Sequence, residues 1–304
     1  MSTAIQQVGN YLEIFTEFAK SAPGQNVPWL RKLREEAFAR FCEAGFPTTH
    51  DEDWRFTNTS PIARTRFAFA KQLRALSRND LNAWTINRAA ARLVFIDGRF
   101  APELSDSARF AGVQISSLKD QIASHPDELE PHLASYANIQ RDAFCALNTA
   151  FIQDGTYIHV RRGTVLEQPV HLLFISIESD APTMAHPRNL VVFEDESQGT
   201  VIEEYVSIGK GTALCNSVTE LVVGENATVS HYMVECEHRD AFNVSTLRIQ
   251  QARSANVASH SLLLGGGLVR NNVHPVLAGE GGECLINGLF VGDGRQHLDN
   301  YMYV

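Results

Sequence analysis

The sequence predicts a mainly β protein, a parallel β-helix (solenoid) that is preceded by an N-terminal helical and mixed region. From about Phe151 onward, β-branched and aromatic residues alternate with polar ones between short clusters of Gly, Asn, Asp and Ser. That pattern is typical of strands and turns. Similar polar turns also recur at a nearly fixed period, which indicates stacked coils that bury a shared core. Residues 1–45, by contrast, show helical spacing.

Two helices are predicted at the N-terminus. The first has an apolar stripe formed by Ile5, Val8, Leu12, Phe15, Phe18 and Ala19. After a break at 21–24, the second begins at about Pro28 and has an apolar face formed by Trp29, Leu30, Leu33, Ala37, Phe38 and Phe41. Gly45 and Pro47 end this helix, because Gly can take the left-handed capping conformation and Pro cannot continue a helix. We expect both helices to act as packing elements.

The next elements lead into the solenoid. The stretch RLVFIDGRF (92–100) predicts a strand and a tight Asp97–Gly98 turn, since Asp-Gly tolerates the positive φ that such turns require. Residues 116–136 are predicted to be helical, with Ser117 as the N-cap. We therefore divide the chain into a helical and mixed domain at 1–140 and a β-helix core at 141–304.

The repeat in the core is marked by small residues in the turns. Gly199, Ala227, Ala255 and Gly282 follow polar turns at intervals of 28, 28 and 27 positions. Two residues after each of them stands a small apolar side chain: Val201, Val229, Val257 or Cys284. We expect the small residues to lie in stacked turns, where a large side chain would collide with the next coil. A β-sandwich is the alternative fold.

The loop at residues 50–63, HDEDWRFTNTSPIA, crowds acids, bases and aromatic residues together and so suggests chemistry. In an extended loop, however, neighbouring charges point in different directions. Trp54 and Phe56 would then share a buried face, with Asp53 and Arg55 on the other. Thr59 or Ser60 before Pro61 suits the start of a helical turn. We interpret this 50–63 loop as the joint between the helical start and the solenoid.

Composition and motifs exclude several classes of function. A net charge of −9 argues against a general nucleic-acid binder. No apolar run approaches the ~20 residues of a membrane helix, and five separate cysteines without a signal-peptide pattern indicate reduced thiols in a cytoplasm. GKGT (209–212) lacks the spacing of a Walker A loop. Cys236 and His238 could converge on one strand, but we interpret Cys236 as an inward filler and His238 as solvent-facing. We assign no catalytic or metal residue.

Four segments carry a family resemblance: HDEDWRFTNTSPI (50–62), LVFIDGRF (93–100), DAFCALNTAFIQDGTYIHVRRGTVLEQPVHLLF (142–174) and GEGGECLINGLFVGDGRQHLDNYMYV (279–304). They resemble the SufB/SufD family of iron–sulfur cluster assembly scaffolds, and the SufD branch more than the SufB branch. The resemblance implies a right-handed parallel β-helix flanked by helical domains. It also implies a non-catalytic subunit that pairs with a SufB-like protein and binds a SufC-like ABC ATPase. A nascent iron–sulfur cluster would contact the complex transiently, with no cofactor bound firmly.

Family members continue past the DNYMYV strand into a segment that holds the SufB–SufD interface and the SufC contact, so we expect this chain to be truncated before both. The nearest candidates for a partner interface are His297, Asp299 and Asn300. Two alternatives stay open. One is a β-helix enzyme that acts on carbohydrate, and the other is a structural solenoid that forms a homodimer through its uncapped last strand.

Overall fold

The computed structural model describes residues 3–71, 75–107 and 109–304. The fold is mainly β, with 38% of residues in strands and 23% in helices. The α-helices are α1 (Thr3–Ser21), α2 (Pro28–Ala44), α3 (Ser60–Arg64), α4 (Leu118–Ser124) and α5 (Ala143–Ala150). Short 3-10 turns lie at Glu52–Trp54, Arg78–Trp84, Pro102–Leu104 and Pro126–Glu128. Among these residues, no helix is long and apolar enough to cross a membrane.

The strands form two sheets that face each other across the core. In chain order they are β1 (Ala91–Ile96), β2 (Arg99–Phe100), β3 (Asp106–Ser107), β4 (Val113–Ser117), β5 (Thr156–Val160), β6 (Val170–Ile177), β7 (Thr183–Ala185), β8 (Arg188–Phe193), β9 (Gln198–Ile208), β10 (Ala213–Val223), β11 (Thr228–Cys236), β12 (Phe242–Gln251), β13 (Asn256–Leu263), β14 (Leu268–Leu277), β15 (Glu283–Phe290) and β16 (His297–Met302). One sheet has the order β15-β13-β11-β9-β6-β1-β2, and the other β16-β14-β12-β10-β8-β5-β4.

Successive coils stack in parallel and confirm the predicted solenoid, which makes about 5 turns from residue 157 onward. Each coil contributes one strand to each sheet, so β9, β11, β13 and β15 pair in parallel on one side. On the other side β8, β10, β12, β14 and β16 do the same. The space between the sheets is filled mainly by apolar side chains, from Leu93 at one end to Val273 near the other. The division at 140/141 stays a prediction, although β1 already pairs with β6 of the solenoid.

The predicted register of the first coil is wrong by two residues. Thr228 pairs with Gln198 on one side and Asn256 on the other, which gives steps of 30 and 28 residues. The small residue in the first turn is therefore Ser197, which is fully buried as Ala227 and Ala255 are. Gly199 instead faces inward opposite Val229, where the Phe193 ring occupies the space that a side chain would need.

The N-terminal helices cover the outer face of the β16-containing sheet. In α2, Leu30, Ala37, Phe38 and Phe41 are buried as predicted, and Gly45 follows with φ +65°. The stripe predicted for α1 is only partly right: Leu12 is 54% exposed, and Tyr11 takes the buried position. The side chains of Ile5 and Val8 lie outside the described residues.

The elements between the helices and the solenoid also differ in part from prediction. The Asp97–Gly98 turn is confirmed, with φ of 47° and 78° joining β1 to β2. Ser117 caps α4 by accepting the Asp120 N–H, again as predicted. The helix predicted to reach residue 136 is wrong in length, because α4 ends at Ser124. Pro126 lacks the N–H that a continuing helix would need.

Candidate functional site

The 50–63 loop docks against the outer face of β14 and β16. A 3-10 turn at Glu52–Trp54 places the indole of Trp54 inward, where it is 8% exposed. The indole stacks on Phe144 of α5 at a centroid distance of 5.1 Å. The loop therefore joins the helical layer to the solenoid, and the burial of Trp54 confirms that part of the sequence interpretation.

Arg270 of β14 organises this junction. Its side chain is 2% exposed and its guanidinium lies between two aromatic rings, 4.2 Å from the centroid of Trp54 and 4.5 Å from that of Tyr301. The guanidinium donates to Asp299 Oδ2 at 2.6 Å and to the Asp53 carbonyl oxygen at 2.5 Å. A charge buried in this way is stable because it is both paired and hydrogen-bonded.

The predicted interface residues separate into two groups. His297 Nε2 lies 3.0 Å from the Thr57 hydroxyl, which also donates to Asp299, so both residues belong to the junction on the outer face. Asn300 points into the solenoid, where its Oδ1 accepts from Ser261 and Asn271 at 3.0 Å each. Successive residues of a strand face opposite ways, which explains the split. A partner-interface role for the three residues stays a prediction.

Phe56 corrects the sequence interpretation of the loop. It was expected to share a buried face with Trp54, but its side chain is 81% exposed. The period-two argument fails because the chain turns through a 3-10 helix at 52–54 and is not extended there. The helical turn predicted at Ser60 is present as α3. Thr59 precedes it, but its hydroxyl donates to the Pro47 carbonyl and does not cap the helix.

A polar cluster lies inside the solenoid around Glu203, which is 3% exposed. Its carboxylate lies 3.1 Å from His231 Nε2 and accepts from the hydroxyls of Tyr205 at 2.6 Å and Thr219 at 2.7 Å. Burial acts to raise the pKa of Glu203, but the His231 interaction and these hydrogen bonds outweigh it and lower that pKa. Glu204 faces the opposite side and meets His171 at 2.9 Å, as predicted for adjacent strand residues.

A second interior pair, Glu235 and Glu237, lies at the end of β11 and in the turn that follows. Glu235 accepts the backbone N–H groups of Glu237 and Gly265 at 2.8 and 3.2 Å. Glu237 accepts from Ser176 and Asn243 at 2.9 and 2.7 Å. Burial raises the pKa of both carboxyls, and the charge of Glu237 raises that of Glu235 further.

These interior positions were missed at the sequence level, although the alternation of the strands contains the signal for some of them. His231 lies two residues after the inward Val229, and Glu203 lies two after Val201, so both continue an inward row. Cys236 was expected to be an inward filler, but it is exposed because the inward row of β11 runs through Glu235. Cys284 pairs with Val257 and packs against the core, but it is only partly buried.

The contacts described above hold the 50–63 loop on the solenoid and pair the polar groups inside it. All the cysteines are free thiols, and burial raises the pKa of Cys215 and Cys284. In the part of the chain that the structure describes, no three His, Cys, Asp or Glu side chains converge to hold a metal ion. Glu235 and Glu237 point to the same side of the backbone, but both are buried inside the solenoid.

Comparisons with known proteins agree with this architecture. The family model described as "SUF system FeS cluster assembly, SufBD core domain" matches residues 174–304, and "SufBD protein N-terminal region" matches residues 5–172. The iron-sulfur cluster assembly SufBD family protein slr0076 of Synechocystis sp. is 30% identical over 84% of this chain and 58% of its own length. The iron-sulfur cluster assembly protein SufD of Escherichia coli is 27% identical, with the same two coverages of 84% and 58%.

A second SufD, from Bacillus subtilis, is 23% identical over 75% of this chain and 54% of its own length. The chain thus spans somewhat more than half of the length of these curated relatives. The two family models follow one another along the helical start and the solenoid, and they meet inside β6. The chain belongs to the SufBD family of iron–sulfur cluster assembly proteins.

Proposed function

We propose that the chain is a non-catalytic scaffold subunit of a cytoplasmic SUF-type iron–sulfur assembly system, most similar to SufD. In this proposal it pairs with a SufB-like subunit and acts together with a SufC-like ABC ATPase. The nascent iron–sulfur cluster is cargo of the assembled complex and not a resident cofactor of this chain. The observation that carries the proposal is the pair of family matches, which together run from residue 5 to residue 304.

The geometry supports a scaffold over a carbohydrate-cleaving β-helix. Such an enzyme needs two carboxyl groups that face a substrate groove. Glu203 and Glu204 lie on opposite faces of β9, and Glu235 and Glu237 are 0% and 4% exposed. Neither pair therefore presents two carboxyl groups to one groove.

We place the contact with the SufB-like subunit along β16. Among the described residues β16 lies beyond β14 at one end of its sheet, and it carries the three predicted interface residues His297, Asp299 and Asn300. Asn300 Nδ2 is buried without a hydrogen-bond partner in the described chain, and His297 is half-buried on the same strand. Both side chains could therefore gain contacts when a partner strand pairs with β16.

Co-purification tests the proposal. The affinity-tagged product of the complete gene is co-expressed with the SufB-like and SufC-like proteins of its own source organism, and the eluted complex is analysed by mass photometry. We expect the SufB-like subunit to elute with the tagged protein in equal amounts. His297→Ala combined with Asn300→Ala should reduce that yield, whereas His260→Ala on the other sheet should not. If the SufB-like subunit is soluble yet never retained, the scaffold proposal is wrong.

A further inference from the structure

Phe56 borders a shallow pocket between the 50–63 loop and the first residues of β12, β14 and β16. The ring is 81% exposed, and the Arg55 guanidinium lies 5.6 Å from its centroid. The pocket beside it has a volume of about 390 Å³. A single exposed aromatic residue is common on protein surfaces and needs no explanation by itself. The residues that surround Phe56 distinguish it from other exposed aromatic residues.

The floor of the pocket is built by consecutive coils. Phe242, Leu268 and His297 are register partners at the starts of three neighbouring strands, so they form one row across the sheet. Leu268 is 6% exposed, and Pro61 of α3 lines the pocket on the loop side. Because strands of a packed sheet hold this row, the apolar floor is already in place before any ligand arrives.

The rim of the pocket is cationic, although the whole chain has a net charge of −9. Arg239 and Arg295 line it, and none of the described residues that line it is acidic. Arg239 pairs with Asp293 at 2.7 Å, but both side chains are largely exposed, at 60% and 77%, so the pair is weak and can exchange. Across the described ranges, Arg295 has no ion-pair partner.

We propose that this pocket is a docking site for an acidic peptide segment of a partner protein. One aromatic side chain of the segment packs between Phe56 and Leu268, while flanking carboxylates pair with Arg239 and Arg295. Charge complementarity selects this occupant, since a basic rim on an acidic protein attracts a negative ligand and repels a positive one. Exposed aromatic and Arg side chains around a preformed apolar floor are also typical of interface hot spots. The inference does not depend on the proposed SUF function.

Defined peptides test the docking site. Fluorescein-labelled Glu-Glu-Phe-Glu-Glu is titrated with the whole 304-residue chain, and binding is followed by fluorescence anisotropy. We expect saturable binding that weakens as salt is added, because the paired charges are exposed. Glu-Glu-Ala-Glu-Glu and Lys-Lys-Phe-Lys-Lys should bind at least about tenfold more weakly, since each lacks one of the two recognised features.

Variants then locate the binding. Phe56→Ser should weaken binding of the acidic Phe peptide at least about tenfold, as expected for a hot-spot aromatic. The double variant Arg239→Glu/Arg295→Glu should prefer the Lys-Lys-Phe-Lys-Lys peptide. Matched controls at other exposed sites, Phe110→Ser and Arg253→Glu, should stay within about twofold of the parent chain.

Far-UV circular dichroism and urea unfolding check that each variant remains folded, which the exposure of the three substituted side chains favours. Three results would overturn the proposal. They are a lack of saturable binding by the acidic Phe peptide, equal binding by the Phe56→Ser variant, and an unchanged preference after charge reversal.

Discussion

The junction around Arg270 provides the most direct test of how the helical layer is held on the solenoid. Arg270→Met keeps a long apolar side chain but removes the guanidinium. It would leave the Asp299 carboxylate, whose side chain is 22% exposed, without its cation at 2.6 Å. It would also remove the stacking of the guanidinium on Trp54 and Tyr301, and the hydrogen bond to the Asp53 carbonyl.

The structure sets the size of the effect. Removing one partner of a buried ion pair costs about 3–5 kcal/mol. Because Asp299 keeps some contact with water, we take the lower end, about 3 kcal/mol, for this part. Loss of the two cation–π contacts adds about 1 kcal/mol each to the destabilisation, and packing of the Met side chain offsets about half of this added loss. We therefore expect the free energy of unfolding to fall by about 4 kcal/mol.

Urea unfolding at pH 7, followed by far-UV circular dichroism, measures this loss. Arg253→Met is the matched control, because its partner Glu225 is on the surface and the two side chains are 62% and 48% exposed. That control should lose less than about 1 kcal/mol. Arg270→Met/Asp299→Leu should recover about half of the loss, since no unpaired carboxylate remains. A loss below about 1 kcal/mol for Arg270→Met itself would refute the view that this junction holds the layers together.

Three further predictions concern other parts of the chain. Trp54→Ala should lower the free energy of unfolding by ~3 kcal/mol or more, because the indole is 8% exposed and stacked. An unchanged urea midpoint would show that the indole is not part of the core and would reopen the interpretation of the loop as an active site. Burial raises the pKa of Glu237 and of Glu235, the latter to about 8, so the folded chain binds more protons than the unfolded one. Stability should therefore fall as pH rises from 4.5 toward 8, and Glu237→Gln should flatten that slope in urea midpoints measured across the range. The homodimer alternative predicts concentration-dependent dimers of this chain in light scattering, and a monomer at every concentration would count against it.

The features that repeat along the chain could be predicted from the sequence, whereas those that depend on distant contacts could not. Small turn residues and inward alternation predicted the stacked coils, because both recur in every coil. The register of the first coil was predicted wrongly because Gly199 has the small side chain expected in the turn. The residue that lies in the turn is Ser197, which is also small and is as buried as Ala227 and Ala255. The interior cluster around Glu203 was missed because hydrogen bonds to His231, 28 residues later, make burial of a carboxylate tolerable.

The composition of the 50–63 loop is explained by residues more than 200 positions away. Its polar groups form hydrogen bonds with β14 and β16. Arg270 donates to the Asp53 carbonyl oxygen, and Tyr301 donates to the Asp53 carboxylate. The Thr57 hydroxyl donates to Asp299. No local pattern contains these partners, so the loop looked like an active site when it was considered alone. Once the contacts are assigned, Trp54 and Asp53 have structural roles and Phe56 does not, since its ring is 81% exposed and lies beside the Arg55 guanidinium. Phe56, which contributes least to folding among these loop residues, is therefore the one best placed to bind a partner. Phe56→Ser separates a role in binding from a role in stability, because it should weaken peptide binding and leave the urea midpoint unchanged.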